Sequence, residues 1–309
     1  MLAAHTIAFF ESPLLTVVTV FAAMLLGLVA GSASHRVAWR MAHGYPAFGG
    51  GVFCRSCGYA LSFRERIPLL GWLTMHGQCP HCGAALGVDG PACAILGSLM
   101  FASIVLRHGV SLEALEILAL ICVLMVAALV SLWDYRVPNV CIGAALVIRL
   151  VYLVLLGISG QPVVSLFVSS LVGGLALGLP MALALFLSNA MLAREVTGMG
   201  TVKLVAVVGV YLGWQQGLLA LFAACLLAAL VWVVSPTKLL EVEVEGGAHR
   251  KSPEEAAELD RSMRNMRPSY EEDIAEPMRL IPIAPSVVIC LWVMLLVGIT
   301  PMLWSTPLL

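Results

Sequence analysis

Long apolar runs separated by short polar stretches dominate the pattern of hydrophobic positions along the chain. A helix needs roughly 20 apolar residues to cross a bilayer. Eight runs reach or approach that length, at about 13–34, 91–107, 112–133, 138–157, 162–188, 201–213, 215–235 and 284–304. The run 201–213 is short, and we expect it to be tilted or continuous with its neighbour. The pattern predicts an all-α polytopic membrane protein with about eight transmembrane helices.

The composition agrees with that prediction. Of the 309 residues, 61% are hydrophobic and only 11% are charged, and the mean hydropathy is +0.98. A soluble globular domain is apolar over about half of its residues, so this class is excluded. We keep the first run as a span because it is too long for a secretory signal and no basic region precedes it. The net charge of −1 gives no information about partners, and the sequence has no nucleic-acid-binding signature. We expect the lipid bilayer as a partner and no nucleic acid.

The lysines and arginines are distributed unequally between the predicted loops. If eight helices alternate across the membrane, all but two of the 17 Lys and Arg residues fall on one side, the exceptions being Arg107 and Arg149. Basic residues accumulate on the cytoplasmic side of membrane proteins. We therefore expect the loops 35–90 and 236–283 in the cytoplasm and both termini on the opposite side.

The two predicted cytoplasmic loops divide the chain into five predicted segments. They are a first transmembrane helix (1–34), a cytoplasmic zinc-binding module (35–90), a transmembrane core (91–235), a charged cytoplasmic loop (236–283), and a last transmembrane helix with its tail (284–309). Acidic and basic residues alternate irregularly through the fourth segment, which predicts a solvated linker or docking loop.

Two Cys-x2-Cys pairs lie in the predicted module, with 21 residues between them. Each pair can direct two thiolates at one ion, and the spacing is close to that of a four-cysteine zinc site. Gly58 and Gly83 directly follow the pairs, where such turns favour glycine. Disulfides, which a reducing cytoplasm disfavours, and redox-active pairs are the alternatives. Two matched pairs favour a structural zinc or another metal, bound by Cys54, Cys57, Cys79 and Cys82.

Two polar islands interrupt the apolar runs at the same predicted face. One contains Asp134, at the end of the run 112–133, and the other extends from Gly198 to Lys203. An ionisable group at a membrane span is expensive and is a functional candidate by default. We expect no further buried charges in the spans. Gly198 and Gly200 allow the backbone to bend and pack closely.

Both islands resemble motifs of the prepilin peptidases, the bacterial membrane aspartyl proteases that process type IV pilin-like precursors. Gly198-Met199-Gly200 followed by Val202-Lys203-Leu204 is similar to their Gly-x-Gly-Asp motif. Asp134 with Arg136-Val137-Pro138-Asn139 is similar to the first catalytic aspartate and the turn that follows it. The resemblance extends to an Ile-Pro-Leu segment between the cysteine pairs (67–69) and to the Leu-Gly-Trp-Gln at 212–215.

The resemblance implies an aspartic endopeptidase of the bacterial inner membrane, with its active site at the cytoplasmic face. Its substrate would be a pilin or pseudopilin precursor, and S-adenosylmethionine would serve an N-methylation of the new terminus. Asp134 takes the place of the first catalytic aspartate. Where the family has the second, this chain has Thr201. Two carboxylates that share a proton are needed for this chemistry, so we expect impaired activity.

Alternatives stay open at each of these points. Glu195 is the nearest acid in sequence to Thr201 and a candidate second carboxylate. Asp134 could instead cap a helix end or pair with Arg136. The whole chain could be a non-catalytic homologue that binds prepilins. It could also be a zinc-containing membrane transporter or redox protein, against which the expected absence of further buried charges argues.

Overall fold

A computed structural model describes residues 13–48, 52–54, 56–134, 136–161, 163–192, 199–234 and 283–297. Residues 236–282 of the predicted loop, Glu195 and Gly198 lie outside these ranges. The described chain forms eight helices and no β-strand, which confirms the predicted all-α class. The helices are α1 (Pro13–Ala42), α2 (Leu70–Thr74), α3 (Asp89–His108), α4 (Leu112–Asp134), α5 (Asn139–Ile158), α6 (Val163–Leu192), α7 (Met199–Val234) and α8 (Ile283–Val297).

Six of these helices, α1 and α3 to α7, are long and apolar enough to cross a membrane. The apolar part of α8 that the structure describes, Ala284–Leu296, is shorter. The two predicted spans 201–213 and 215–235 fall together in α7. Many large apolar side chains point outward from the bundle, among them Phe21, Phe186 and Phe222, each at least 60% exposed. A lipid-facing surface needs such side chains.

The helix α7 is interrupted at Gly213, whose backbone angles are φ 73° and ψ 177°. A Cβ atom at Gly217 would lie 3.7 Å from the Cα atom of Gly209. In a continuous helix, eight residues span about 12 Å. The chain therefore reverses at Gly213 and forms two packed arms, α7a (199–212) and α7b (214–234). This reversal accounts for two predicted apolar runs in one element.

Glycines allow two pairs of neighbouring helices to pack backbone against backbone. A methyl group at Gly27 of α1 would overlap the carbonyl oxygen of Gly97 of α3. A methyl group at Gly173 of α6 would overlap the carbonyl oxygen of Gly209 of α7a, and the converse also holds. Small residues permit this close approach, and the resulting van der Waals contacts hold helices together in lipid. Burial of apolar side chains contributes little there, because the lipid tails are themselves apolar.

Two apolar cores hold the bundle together. One joins α4, α5, both arms of α7 and α8, and includes Leu124, Leu204 and Leu291. The other joins α1, α3 and α4, and includes Ile104 and Ile117. Because α4 contributes to both cores, its last residue, Asp134, has a fixed place between the two halves of the bundle.

Candidate functional site

Each cysteine pair forms a tight loop with the same hydrogen bonds. Cys54 N–H donates to the Tyr59 carbonyl over 2.8 Å, and Gly58 N–H donates to the Cys54 carbonyl over 2.9 Å. At the second pair, Cys79 N–H donates to Ala84 over 2.8 Å and Gly83 N–H donates to Cys79 over 2.9 Å. Gly58 and Gly83 have φ of 73° and 69°, a conformation in which glycine is favoured. The prediction that glycine closes each loop is confirmed.

The four sulfur atoms of the two loops form one cluster. All four lie within 4.8 Å of one another. The Sγ atoms of Cys54 and Cys82 are 3.8 Å apart, and those of Cys57 and Cys79 are 3.9 Å apart. Sulfurs placed at the Zn–S distance of about 2.3 Å in a tetrahedron are about 3.8 Å apart. The donor set and its spacing therefore fit a zinc ion.

The cluster also has the electrostatics of a metal site. Burial opposes ionisation of Cys54, but N–H groups of Cys57 and Ser56 and the neighbouring thiols outweigh it and lower the pKa of its thiol to about 7. At Cys82, the Ala84 N–H favours the thiolate, yet desolvation and the other cysteine sulfurs raise the pKa to about 12. One sulfur thus ionises readily and then opposes ionisation of the next. A divalent cation at the centre removes that repulsion.

The two polar islands meet at one end of the bundle. A Cβ atom at Gly200 would lie 3.1 Å from Val137 Cβ, 3.2 Å from Val137 N and 3.3 Å from Val137 O. Lys203 Nζ donates a hydrogen bond to Asn139 Oδ1 over 2.8 Å. The turn after Asp134 is therefore packed against the start of α7a. We call this junction the edge site.

The edge site is open to the exterior of the bundle. Asp134 and Lys203 are exposed, and Thr201 is half-buried beside the buried Val202. Asp134 ends α4, and Thr201 lies one residue beyond Gly200 in α7a. Gly198, the first glycine of the motif, and Glu195, the alternative second acid, lie outside the described residues. In the described part of the site, Asp134 is the carboxylate that the two islands bring to this junction.

The cysteine module lies at the same end of the bundle as the edge site. The ring of His35, near the end of α1, contacts the ring of Trp133, the neighbour of Asp134, with centroids 5.6 Å apart. Trp39 of α1 contacts Phe53, which precedes the first cysteine, with centroids 6.3 Å apart. Aromatic contacts thus connect the module to the bundle.

A cavity of about 820 Å³ separates the module from the ends of α1 and α3. Its wall is mainly apolar and includes Trp39 and Trp72. The charged residues in the wall are the cations Arg36, Arg40 and Arg66 and the carboxylates Glu65 and Asp89. A pocket of this size and mixed character can enclose a nucleoside-sized molecule.

The expectation of no further buried charges is wrong. Arg149 of α5 and Glu116 of α4 form an ion pair inside the bundle, with side chains only 13% and 4% exposed. Arg149 Nη1 donates to both carboxylate oxygens of Glu116, at 3.1 and 3.2 Å. Arg149 Nε and Nη2 donate to Ser170 Oγ of α6, at 3.2 and 3.0 Å.

Two tyrosines lie beside the guanidinium of Arg149. The guanidinium carbon of Arg149 lies 5.3 Å from the ring centre of Tyr211 and 5.5 Å from that of Tyr152. Tyr211 of α7a donates its hydroxyl to the Ala145 carbonyl of α5 over 2.8 Å. The sequence contained a signal for this pair, because Glu116 and Arg149 carry opposite charges and lie in two adjacent apolar runs. We call Glu116, Arg149, Ser170 and Tyr211 the buried polar cluster.

The fold and these sites define a polytopic helical membrane protein with a four-cysteine module whose sulfur atoms are close enough together to hold a metal ion. Residues 25–108 match the family model described as the bacterial peptidase A24 N-terminal domain. Residues 118–233 match that of the type IV leader peptidase family. The two matches together cover well over half of the chain and include the cysteine module and the edge site. The chain belongs to the type IV leader peptidase family, as its motifs predict.

Curated relatives agree with this assignment. A protein of Myxococcus xanthus (strain DK1622), named prepilin leader peptidase/N-methyltransferase, is 29% identical over 187 residues, which are 59% of this chain and 52% of the relative. Proteins with the same name from Pseudomonas putida and Bacillus subtilis (strain 168) are 28% and 29% identical over 180 residues each. Those alignments cover 58% and 57% of this chain and 60% and 67% of the relatives. No solved structure matches the chain.

Proposed function

We propose that this chain is built as a prepilin-processing aspartic endopeptidase of the bacterial inner membrane, and that Thr201 impairs its activity. The observation that carries the proposal is the edge site, where the Asp134 turn packs on Gly200 and Asn139 bonds Lys203. The family assignment supports a protease, and the names of the relatives support prepilin substrates.

The proposed chemistry needs two carboxylates at one water molecule. The ionised carboxylate takes a proton from the water, and the protonated one polarises the peptide carbonyl. Asp134 is exposed at the end of α4 and can fill one of these roles. Thr201 can donate a hydrogen bond to the carbonyl or to the water, but its hydroxyl does not ionise near neutral pH. It therefore cannot share the proton that couples the two carboxylates.

The proposed location follows from the arginines and lysines. They favour a cytoplasmic position for the edge site and the cysteine module. A prepilin-like precursor has an apolar helix in the membrane and a short leader in the cytoplasm. An edge site at the cytoplasmic face would meet the junction between these two segments.

The direct test is cleavage of a synthetic precursor, with a short basic leader before an apolar helix, by the purified full chain in detergent. We expect very slow cleavage by the chain as it stands. The variant Thr201→Asp should cleave faster by several orders of magnitude, because paired catalytic groups act as one unit. Adding Asp134→Asn should abolish the gain.

Two outcomes would contradict parts of this proposal. If the unchanged chain cleaves at a rate that Thr201→Asp does not raise, and Glu195→Gln stops it, Glu195 is the second acid. If Thr201→Asp binds the precursor but does not cleave it, the peptidase function is wrong. The chain would then be a non-catalytic prepilin-binding homologue, a function that the hydroxyl at position 201 also favours.

The cysteine module is proposed to have a structural role. Zinc, when bound by Cys54, Cys57, Cys79 and Cys82, would join the two loops into one unit. The thiolates fill all four positions of a tetrahedral ion and leave none for a substrate.

The expected absence of further buried charges was an argument against a transporter. Because the buried polar cluster contains such charges, that argument no longer holds. The family assignment is the evidence against that alternative.

N-methylation is a second proposed activity, favoured by the cavity beside the module. S-adenosylmethionine would supply the methyl group. Glu65 and Asp89 could pair with its cationic groups, and Arg36 with its carboxylate. We expect the purified chain to bind this cofactor in equilibrium dialysis and Asp89→Asn to weaken binding. Glu113→Gln, a change outside the cavity, is the matched control, and unchanged binding by Asp89→Asn would contradict the assignment of the cavity.

A further inference from the structure

The buried polar cluster joins the same helices that form the edge site. Glu116 is on α4, which ends at Asp134, and Arg149 is on α5, which begins at Asn139. Tyr211 is on α7a, which carries Gly200 and Lys203. The edge site and the cluster are therefore two separate tie points between the same three helices.

The separation of the two tie points is large enough to fix helix tilt. Asn139 and Arg149 are ten residues apart on α5, which corresponds to about 15 Å along the helix axis. Lys203 and Tyr211 are eight residues apart on α7a, or about 12 Å. One contact leaves a helix free to pivot about it. A second contact half a span away removes that freedom.

The chemistry of the pair suits positioning better than stabilisation. Burying two charges costs free energy that their attraction repays only in part, and apolar residues of similar size would often be at least as stable. The planar guanidinium of arginine, by contrast, holds its donors in fixed directions. All three guanidinium nitrogens of Arg149 are engaged, two of them with Ser170 and one with Glu116. The bonds therefore define one arrangement of α4, α5 and α6, and the guanidinium also lies 5.3 Å from the ring centre of Tyr211 on α7a.

We propose that Arg149 and Glu116 are positioning residues, which hold α5 and α7a in the register that brings Asn139 to Lys203 and Val137 to Gly200. They touch neither Asp134 nor position 201, and they act through the helices. Only the expected effect on cleavage rests on the proposed function. The helix register can be tested whether or not the chain is a peptidase.

The register can be measured without activity. In Asn139→Asp, a carboxylate replaces the amide that Lys203 contacts, and a carbodiimide can then join the two side chains through an amide bond of zero added length. The yield of the linked peptides, measured by mass spectrometry on the full-length zinc-loaded protein, reports how often the two residues touch. We expect a high yield in the parent Asn139→Asp protein.

The pair is then changed in that parent. Arg149→Met should lower the yield by roughly fivefold, a size typical of energetic coupling between distant sites. Arg107→Met is the matched control, because it makes the same substitution at an exposed arginine of α3, outside the buried polar cluster. It should leave the yield unchanged.

The double variant Glu116→Gln/Arg149→Met separates positioning from stability. Removing both charges avoids an orphaned buried carboxylate, so the unfolding temperature should return towards that of the parent. If the pair positions the helices, the link yield stays low in this folded protein. A yield equal to the parent's would overturn the proposal. The double variant also decides the question if Arg149→Met fails to fold.

Cleavage provides a second, distinguishable readout. In the Thr201→Asp background, the double variant should lower kcat more than it raises KM. If Thr201→Asp never cleaves, the proposed function fails, and the link yield still tests the positioning role. If Thr201→Asp cleaves and the double variant cleaves equally well, Arg149 and Glu116 do not position the site.

Discussion

Lys203 donates its hydrogen bond to Asn139 over 2.8 Å, which ties the start of α7a to the first residue of α5. Both side chains are exposed, so the bond contributes about 1 kcal/mol or less to stability. The packing of Gly200 on Val137 is the stronger constraint, because it brings backbone atoms together. Residue 201 therefore owes its place mainly to the glycine before it.

Gly200→Ala tests that constraint. The new methyl group would lie 3.1–3.3 Å from three Val137 atoms, so the turn after Asp134 must shift. The shift needed is a few tenths of an ångström, so in the Thr201→Asp background we expect cleavage to fall, but by less than the roughly 100-fold that a displacement of about 1 Å costs. The matched control is Gly143→Ala in α5, where no atom lies within 4 Å of the new methyl. Equal cleavage by both variants would show that the contact is unimportant.

Gly173→Ala tests the packing of α6 on α7a. The methyl group would overlap the Gly209 carbonyl oxygen, and overpacking typically costs about 1–3 kcal/mol. We expect a lower unfolding temperature in detergent, measured by circular dichroism. Gly143→Ala should raise it slightly, because alanine favours a helix by about 1 kcal/mol over glycine. A Gly173→Ala protein as stable as the parent would mean that α6 does not approach α7a so closely.

Zinc content tests the metal centre. We expect about one zinc per chain by elemental analysis, which Cys54→Ser reduces and Cys225→Ala does not. Cys225 is exposed on α7b, away from the module. Four free thiols with neither zinc nor iron in the purified protein would refute the site.

Zinc retention should also depend on pH. The metal binds thiolates, so protons compete with it. At pH 8 the Cys54 thiol, with a pKa of about 7, is largely ionised, and at pH 5 it is protonated. Zinc should therefore pass to a fixed concentration of chelator more readily as the pH falls from 8 to 5. Retention that is equal at both values would argue against thiolate ligands.

Labelling of introduced cysteines tests the orientation. A membrane-impermeant thiol reagent added to intact cells should miss Gly246→Cys in the loop 236–283. It should label Ser159→Cys, which follows α5 and is exposed. The parent chain must first be shown not to react. Labelling of Gly246→Cys alone would reverse the predicted topology.

The sequence predicted the local features better than those that depend on tertiary packing. The metal cluster follows from four cysteines and two glycines whose spacing sets the loop geometry by itself. The meeting of the Asp134 turn with Gly200 was predicted from family motifs. The Arg149–Glu116 pair was missed because pairing across helices depends on register and rotation, which an apolar run leaves undetermined. The sequence predicted two apolar runs on either side of Gly213 but not the reversal between them. A glycine between apolar stretches is equally compatible with a continuous helix.

That reversal has a consequence for how the chain enters the membrane. The arm α7a has 14 residues between 199 and 212, or about 21 Å of helix, which is less than the hydrocarbon thickness of about 30 Å. Backbone groups at the Gly213 turn need partners within the protein, since lipid offers none. A Cβ atom at Gly173 would lie 2.8 Å from Gly213 Cα, so α6 covers the turn. During biosynthesis we therefore expect α7a and α7b to insert together as a hairpin, and only after α6 is in place.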